Sequence, residues 1–198
     1  MIFVKKIMNS ALKEIISKVI RVNPPELEEI GKFFSRQSLS KGEFLLKEGN
    51  FCSHLYFIEK GCLRLFYIDS KGREFTRFMA FENTFLSSMT AFISREPSTE
   101  YIQAMENSIL YSIGYDDFLE LRSSFPSGNY FYIYILEYGV TVITARLNNI
   151  LTKSASERYR QLLFNNPEII QRLSNNDLAT YLNISPETLS RLKSNLSS

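Results

Sequence analysis

Between about residue 36 and residue 114 the sequence is a series of short apolar or alternating runs, and this pattern most constrains the fold. Turns rich in glycine, such as Asp69-Ser70-Lys71-Gly72, separate the runs. Many short strands at close spacing predict an antiparallel β sandwich or barrel. The segment LRLFYIDSKGREFTRFMAF predicts a hairpin around Asp69–Gly72. The runs are EFLL, LYFIEKG, CLRLFYI, FTRFMAF, YIQAM and ILYSIGY.

After Tyr115 the pattern changes to that of α-helices. DDFLELRSSF predicts a short helix that ends near Pro126 and Gly128. Residues 129–152 predict a long helix without internal proline, and residues 154–165 predict another. The apolar residues of the long helix recur at spacings of three and four, a heptad seam that predicts pairing with a second copy. Packing of the same stripe on the chain's own sheet is the alternative. The seam residues are Ile133, Leu136, Val140, Ile143, Leu147 and Ile150.

The segment DLATYLNISPETLSRLKSNL predicts two short helices joined by a tight turn, over residues 174–182 and 185–195. Asn183 stands where the first helix ends, and Asn tolerates a left-handed backbone. Ser185 offers a hydroxyl that can cap the next helix, and Pro186 suits its first turn. Because the second helix is polar and partly basic, the pair predicts a DNA-binding helix-turn-helix. A helical hairpin that packs inside a larger domain is the alternative.

The charge distribution favours contact with nucleic acid at the C-terminal end. Residues 146–198 contain seven Lys/Arg and four Asp/Glu, a balance of +3. Residues 1–145 contain sixteen and seventeen, a balance of −1. Positive charge therefore lies with the candidate helix-turn-helix, as contact with DNA phosphates favours. An apolar content of 44% and a charged content of 22% are those of a globular protein.

The sequence predicts neither a signal peptide nor a membrane span. The N-terminus MIFVKKIMNSALKEIISKVIRV predicts an amphipathic helix rather than the uncharged core of a signal peptide. The most apolar stretch, residues 130–145, contains Glu137, Gly139 and two threonines. It falls short of the roughly 18 apolar residues that a membrane-spanning helix needs. We therefore expect a cytoplasmic protein with no membrane partner.

The composition gives little support to metal or enzyme chemistry. The sequence has two cysteines, Cys52 and Cys62, and one histidine, His54. A closed zinc site or an iron–sulfur cluster usually requires four such ligands. A cupin-type enzyme would need two or three His or carboxylate ligands inside its barrel. We therefore expect no catalytic residues, no metal and no cofactor. We interpret the cysteines as core residues or free thiols and His54 as a surface or turn residue.

The order of the predicted elements, together with KGEFLLKEGNFCSHLYFIEKGCLRLF and SPETLSRL, resembles the Crp–Fnr family of bacterial transcription regulators. In detail the sequence is most similar to a Bacteroidetes-type branch, with SASERY before the DNA-binding domain. The resemblance covers roughly Leu27–Leu196 and places Gly49, Gly61 and Gly72 at strand turns. It implies a cyclic-nucleotide-binding-like jelly roll, a dimerisation helix and a helix-turn-helix. We expect an α+β fold without a clear wing after the recognition helix.

The resemblance also identifies a candidate effector pocket in FLSSMTAFISREPSTEYIQA, residues 85–104. Cyclic-nucleotide-binding members carry Gly-Glu near its start, where the Glu holds the ribose 2′-hydroxyl. They carry Arg and then Ser or Thr near its end, where the Arg pairs with the cyclic phosphate. This sequence has two pairs of hydroxyl residues instead, so the charge-assisted bidentate contact is lost. The candidate pocket residues are Phe85, Ser87, Ser88, Ser98, Thr99 and Thr144.

The missing anchors change the expected ligand. We expect cyclic AMP to bind weakly or not at all, and an unknown small-molecule effector stays open. Four arginines either carry charge for a different ligand or are solvated. They are Arg64, Arg73, Arg77 and Arg95.

By the same resemblance, Glu187 and Arg191 of the recognition helix contact bases. A carboxylate accepts from the cytosine amino group, and a guanidinium pairs with guanine. In the alternative, these two side chains pair with each other across one helical turn. Pro186 stands where many family members have a further arginine, so one base contact should be lost. The predicted phosphate contacts are Ser174, Ser185, Thr188, Ser190 and Lys193.

We therefore predict three domains: a jelly-roll sensor with flanking helices over 1–128, a dimerisation helix over 129–152 and a helix-turn-helix domain over 153–198. The predicted function is a dimeric, sequence-specific DNA-binding transcription regulator. Its predicted partners are double-stranded DNA and a second copy of the chain, and the resemblance adds RNA polymerase as a candidate. The alternative is a jelly-roll sensor or scaffold dimer that no longer binds DNA.

Overall fold

The computed structural model describes residues 8–125 and 128–196. Within these ranges, strands form two four-stranded sheets, with the orders β1-β8-β3-β6 and β2-β7-β4-β5. Helices follow the sheets, so the α+β class and the jelly roll are confirmed. The strands are β1 Ser35–Leu39, β2 Phe44–Leu46, β3 His54–Lys60, β4 Leu63–Ile68, β5 Glu74–Ala80, β6 Phe85–Leu86, β7 Tyr101–Ala104 and β8 Ser108–Gly114.

Helices α6, α8 and α9 each begin one residue after a serine at which the sequence predicts the helix to start. Helices α2 and α7 were not predicted. In the described ranges no helix is long and apolar enough to cross a membrane. The helices are α1 Ser10–Ile20, α2 Pro24–Gly31, α3 Met89–Ser94, α4 Tyr115–Ser124, α5 Gly128–Thr152, α6 Ala155–Asn165, α7 Pro167–Arg172, α8 Asn175–Leu182 and α9 Pro186–Leu196.

Two details of the helix predictions fall outside the described residues. The first is the start of the predicted N-terminal helix, residues 1–7, and the second is the stop at Pro126. The described part of the N-terminal helix is α1, which Asn9 caps by accepting from the backbone N–H of Leu12 at 2.8 Å. It buries Leu12, Ile16 and Ile20 at spacings of four, so the amphipathic pattern is confirmed.

Strand β8 is central to the first sheet. It pairs antiparallel with β1, where Ser35 lies opposite Ser112, and with β3, where His54 lies opposite Gly114. Strand β3 is buried from Leu55 to Ile58, so both of its faces contribute to packing. The predicted cysteine environment is confirmed, because Cys52 and Cys62 are buried and neither forms a disulfide among the described residues. His54 is exposed at the start of β3.

The chain divides into two compact units, and α5 crosses the division. The first unit contains the described residues up to Leu65 and Ala80–Gly139. Its core includes a series of phenylalanine rings with centroids 5.1 to 5.9 Å apart, and the edge-to-face arrangements add to the burial of apolar area. These rings connect the strands to α3, α4 and the start of α5. They belong to Phe57, Phe85, Phe92, Phe118 and Phe131.

The second unit contains Phe66–Met79 and the described residues from Val140 onward. Ser154 caps α6 in a capping box, because its hydroxyl accepts from the N–H of Glu157 at 3.3 Å and the Glu157 carboxylate accepts from the N–H of Ser154 at 2.7 Å. This is the physical role of the first serine in SASERY. The predicted link after α6 is instead the helix α7, which begins with Pro167 and buries Ile169.

The hairpin predicted around Asp69–Gly72 is confirmed as the β4–β5 turn. The N–H of Asp69 donates to the carbonyl of Arg73 at 3.0 Å. The Asp69 carboxylate accepts from the N–H groups of Lys71 and Arg73, both at 2.9 Å. The side chain therefore stabilises the turn that the sequence indicates.

Gly61 joins β3 to β4 at a point of close approach. Its φ is +106°, and a Cβ at this position would lie 2.2 Å from Ser108 Oγ and 2.8 Å from Ser108 Cα. Gly72 also has a positive φ, +76°, but its Cβ would meet nothing within 4 Å. A side chain at Gly72 would therefore cause backbone strain alone, whereas one at Gly61 would cause both backbone strain and steric overlap.

We predict that Gly61→Ala lowers the free energy of unfolding by about 3 kcal/mol, since strain and overlap act together. Gly72→Ala should cost about 1 kcal/mol, because only the backbone conformation is unfavourable. Urea unfolding followed by circular dichroism measures both. Equal losses for the two variants would show that the contact with Ser108 relaxes without cost.

Candidate effector pocket and nucleic-acid interface

Three of the predicted pocket serines are buried in the first unit, and two of them contact each other. Ser87 and Ser88 follow β6, and Ser98 lies just before β7; all three are buried. Ser87 Oγ donates to the carbonyl of His54 at 2.9 Å and lies 3.2 Å from Cys52 Sγ. Ser98 Oγ lies 3.3 Å from Ser88 Oγ. The hydroxyls are therefore engaged by the protein itself.

A glutamate that the sequence analysis did not identify contacts two of these serines. Glu100 is only 3% exposed, and its carboxylate accepts a hydrogen bond from Ser88 Oγ. The N–H of Glu100 donates to Ser98 Oγ at 3.0 Å. A buried carboxylate is costly unless hydrogen bonds compensate for lost hydration. The hydroxyls of Ser88 and Ser98 and the Glu100 carboxylate thus form one network, named here the serine–glutamate cluster.

A signal for Glu100 was present in the sequence. Ile102 and Ala104 are the buried residues of β7, with Tyr101 and Gln103 less buried between them. Extending this period of two toward the N-terminus places Glu100 on the same inward face. The strand pattern therefore predicts its burial, whereas motif comparison considered only the pair before it.

The other predicted pocket residues have different surroundings. Phe85 is buried in the aromatic core, with its ring centroid 6.4 Å from that of Tyr134. Thr99 is exposed. Thr144 is exposed and belongs to the second unit, so its place in the pocket stays a prediction.

The four candidate arginines differ from one another. Arg64 is buried, which corrects its interpretation as a solvated residue. Arg73 is exposed and forms an ion pair with the carboxylate of the β4–β5 turn at 2.7 Å. Arg77 is half-buried. Arg95 Nη1 donates to the carbonyl of Cys52 at 3.2 Å, and its guanidinium lies 4.2 Å from the ring centroid of a tyrosine in α4. In the described ranges no group of three or more His, Cys, Asp or Glu side chains could hold a metal ion.

The helix-turn-helix geometry agrees with the predicted caps. Helix α8 ends at Asn183, whose φ of 54° and ψ of 50° are left-handed. Ser185 then caps α9, because its hydroxyl accepts from the N–H of Thr188 at 3.2 Å. Leu178, Leu182 and Leu189 are buried between the helices and the rest of the second unit. The turn and both caps are therefore confirmed.

One face of α9 is polar and accessible. Glu187, Ser190 and Arg191 are exposed, and so are Ser185 and Pro186 at the start of the helix. Thr188 and Lys193 are half-buried, and Lys193 Nζ donates to Asn175 at the start of α8. Ser174 is exposed and caps α8. The predicted DNA-contacting residues thus lie on α9 and at the start of α8.

Glu187 and Arg191 are arranged as separate groups. In the described part of the chain they form no ion pair; Arg191 Nη2 instead donates to Thr188 Oγ1 at 3.3 Å. A hydrogen bond from Ser185 lowers the pKa of Glu187, and the positive charge of Arg191 lowers it further. Glu187 therefore stays an acceptor at neutral pH, and Arg191 keeps donors for another partner.

The predicted heptad seam of α5 is largely uncovered in the single chain. Val140 is 65% exposed, Leu147 is 52% exposed, and Ile133 and Ile143 are exposed as well. Burial of this stripe against the chain's own sheet is therefore excluded for these four residues. The two remaining seam residues, Leu136 and Ile150, are half-buried.

Comparison with known proteins agrees with this architecture. The sequence profile described as "Cyclic nucleotide-binding domain" matches residues 36–125, from β1 to the end of α4. The chain is 24% identical over 185 residues to the fumarate and nitrate reduction regulatory protein of Vibrio cholerae. That match covers 86% of this chain and 72% of the relative. The chain is therefore similar to a Crp–Fnr-type regulator, and its residues 36–125 match a cyclic nucleotide-binding domain.

Solved Crp–Fnr structures have the same fold. FixK2 from Bradyrhizobium japonicum superposes with a TM-score of 0.70 at 17% identity, over 83% of this chain and 84% of FixK2. A transcriptional regulator of the crp/fnr family from Eubacterium rectale gives 0.70 at 17% identity, over 87% and 82% of the two chains. These Crp–Fnr similarities show the fold; the Bacteroidetes-type branch stays a prediction.

We predict that cyclic AMP produces no measurable binding heat with this chain, because both charged anchors are absent and the Glu100 carboxylate already accepts from the Ser88 hydroxyl. A variant with Ser88→Glu, Ser98→Arg and Glu100→Ala supplies both missing anchors and removes the Glu100 carboxylate. It should bind cyclic AMP at least about tenfold more tightly than the parent chain. Low-micromolar affinity of the parent chain in calorimetry would contradict the prediction.

Proposed function

We propose that this chain is a dimeric, sequence-specific DNA-binding transcription regulator with a degenerate cyclic-nucleotide pocket. The observation that carries the proposal is the exposed polar face of α9 on a helix-turn-helix whose turn and caps are well formed. A recognition helix contacts base edges with residues near its N-terminus and leaves its opposite side to pack. Helix α9 meets both requirements, because Leu189 is buried while Glu187 and Arg191 are exposed.

The chemistry of the exposed residues fits two kinds of DNA contact. Glu187 can accept from a cytosine amino group, and Arg191 can donate two hydrogen bonds to guanine. Pro186 has no N–H and no side-chain donor, so this position supplies no base contact of the arginine type. The phosphate contacts that we propose use hydroxyls and one ammonium group, which fix register without selecting sequence. They are Ser174, Ser185, Thr188, Ser190 and Lys193.

The exposed seam on α5 supports a homodimer. Apolar side chains at heptad positions are stable in water when a second helix buries them. The spacing of three and four residues continues from Ile133 to Ile150, which matches a paired helix. Two helix-turn-helix motifs related by a two-fold axis would bind half-sites about 34–36 Å apart.

The serine–glutamate cluster supports a pocket that rejects cyclic nucleotides. The family resemblance assigns the Arg that binds the cyclic phosphate to the position of Ser98, and Glu100 is buried two residues away. A cyclic phosphate brought to this place would have to displace the Glu100 carboxylate from Ser88 Oγ, which disfavours binding. An effector other than a cyclic nucleotide stays open.

The remaining parts of the proposal rest on the sequence and, for RNA polymerase, on the family resemblance. They are a cytoplasmic location, RNA polymerase as a candidate partner, no enzymatic activity and the three domains bounded at 128 and 152. A scaffold dimer that no longer binds DNA is the second candidate, because Pro186 replaces a family arginine. DNA-binding measurements separate the two.

We predict that Val140→Glu with Ile143→Glu dissociates the dimer. Two carboxylates buried without partners in the seam are costly. Sedimentation velocity of the parent chain and the variant measures the mass of each.

Thr141→Glu with Asn148→Glu is the matched control, because both residues are exposed on the same helix and lie off the seam. The control should remain dimeric. A dimer that persists with glutamates at 140 and 143 would place the interface elsewhere.

We predict that Arg191→Ala weakens binding to an operator, selected in vitro from random duplexes, by about 1–3 kcal/mol. Binding to random DNA should change much less, because a base contact acts only on the correct base. Fluorescence anisotropy at fixed salt measures both affinities.

Arg160→Ala is the control, since Arg160 is exposed on α6 and its loss changes the net charge equally. It should have a small effect of similar size on both DNAs. Equal losses on both DNAs for Arg191→Ala would make Arg191 a phosphate contact. No binding to any duplex at low salt would favour the scaffold dimer.

A further inference from the structure

A polar cleft lies within the second unit, between the end of α5, helix α6 and the end of α8. Its volume is about 100 Å³. A cleft needs only roughly 10–15 Å³ of this volume to hold a water molecule, so there is room for a small polyatomic group. Among the described residues no carboxylate lines it. The polar residues that line it include Arg146, Asn149, Arg158, Gln161, Asn165 and Asn166.

Two of these residues are arginines whose hydrogen-bond partners are neutral. Arg158 Nε and Nη2 donate to the carbonyl of Leu182 at 3.2 and 3.0 Å, and Nη1 donates to the carbonyl of Lys153 at 2.6 Å. Arg146 Nη2 donates to the carbonyls of Tyr181 and Thr76. In the described part of the chain neither arginine forms an ion pair. Carbonyl groups at a helix end carry only partial charge, so the two guanidinium charges are not neutralised.

The pKa of Arg146 also reflects the lack of a neutralising anion in the cleft. Burial lowers the pKa of the Arg146 guanidinium, Tyr181 raises it, and the positive charge of Arg158 lowers it. The Arg146 Nε is buried and has no hydrogen-bond partner among the described residues. Buried charges in proteins are usually paired with an opposite charge. The cleft therefore has positive charge, an unused donor and room, but no anion of its own.

We propose that this cleft binds one oxyanion of the phosphate class through Arg146 and Arg158. Guanidinium groups bind tetrahedral oxyanions with charge-assisted hydrogen bonds, and amides such as those of Asn149 and Asn165 add neutral donors. Lys153 Nζ donates to Gln161 Oε1 at 2.6 Å, which leaves the Gln161 amide nitrogen as a further donor. The volume accommodates one phosphate group.

An anion bound in this cleft would lie next to the turn of the helix-turn-helix. The carbonyls of Tyr181 and Leu182 that the arginines hold belong to the last turn of α8, directly before Asn183 starts the turn to α9. Arg146 lies on α5 and Arg158 on α6. An anion between the two arginines would connect three helices at the start of the turn and restrain it. The binding itself does not depend on the proposed function.

The test uses thermal unfolding of the complete chain in a zwitterionic buffer, with inorganic phosphate or sodium chloride at equal ionic strength. Phosphate should stabilise the parent chain more than chloride does. Asn149→Asp places a carboxylate in the cleft, so it should raise the midpoint temperature without phosphate. It should also weaken phosphate binding about tenfold or more, because an internal anion now repels the added one.

Asn148→Asp is the matched control, since it adds the same charge to the neighbouring, exposed residue outside the cleft. It should leave the response to phosphate as in the parent chain. This comparison avoids removing Arg158, whose hydrogen bonds also hold the end of α8.

A second arm distinguishes a free oxyanion from a phosphate of bound DNA. If phosphate stabilises the free chain and only Asn149→Asp removes this effect, the ligand is a free oxyanion. If free phosphate has no effect but Asn149→Asp, unlike Asn148→Asp, reduces the salt dependence of DNA binding by about one charge, the phosphate belongs to the DNA backbone. If Asn149→Asp and Asn148→Asp have the same phosphate response in thermal unfolding and the same salt dependence of DNA binding, the proposal is wrong.

Discussion

The pairing of β8 with both β1 and β3 is the constraint on which the first unit depends. The partners are distant in sequence, so the chain must close long loops before this sheet forms, and that closure costs conformational entropy. Everything between β3 and β8, including β6, α3 and the pocket segment, is held within those loops. The close approach of Gly61 to Ser108 lies at one end of β8 and the join to α4 at the other. The strand therefore fixes where the serine–glutamate cluster forms.

Within this frame, a few side chains decide what the pocket can bind. The backbone of β6, α3 and β7 follows the family fold, yet hydroxyls stand where charged anchors are expected and a carboxylate is buried beside them. The second unit has the opposite character, because two arginines share a cleft without a carboxylate. The ligand class follows from side chains rather than from the fold.

The elements with strong periodicity were predictable, and those without it were not. Glycine turns and alternating runs identified six strands, and Asn183 and Ser185 identified the helix-turn-helix. Strand β1, SRQSL, has no apolar alternation, and β6 has only two residues, so neither leaves a pattern in the sequence. The burial of Glu100 follows a strand period but contradicts the usual preference of carboxylates for water. The arginine cleft depends on Arg146 and Arg158 being brought together by the fold, which no local pattern reports.

The uncovered apolar stripe on α5 has a consequence for how the protein responds to its own abundance. If a second copy buries the stripe, as proposed, dimerisation stabilises the folded state more at higher protein concentration, by mass action. Apparent stability should then rise as the chain accumulates and fall on dilution, without any change in the chain itself. For a protein that binds two half-sites as a pair, occupancy would rise more steeply than in proportion to concentration at low levels of the chain. The helix would thus set a threshold in copy number as well as an interface.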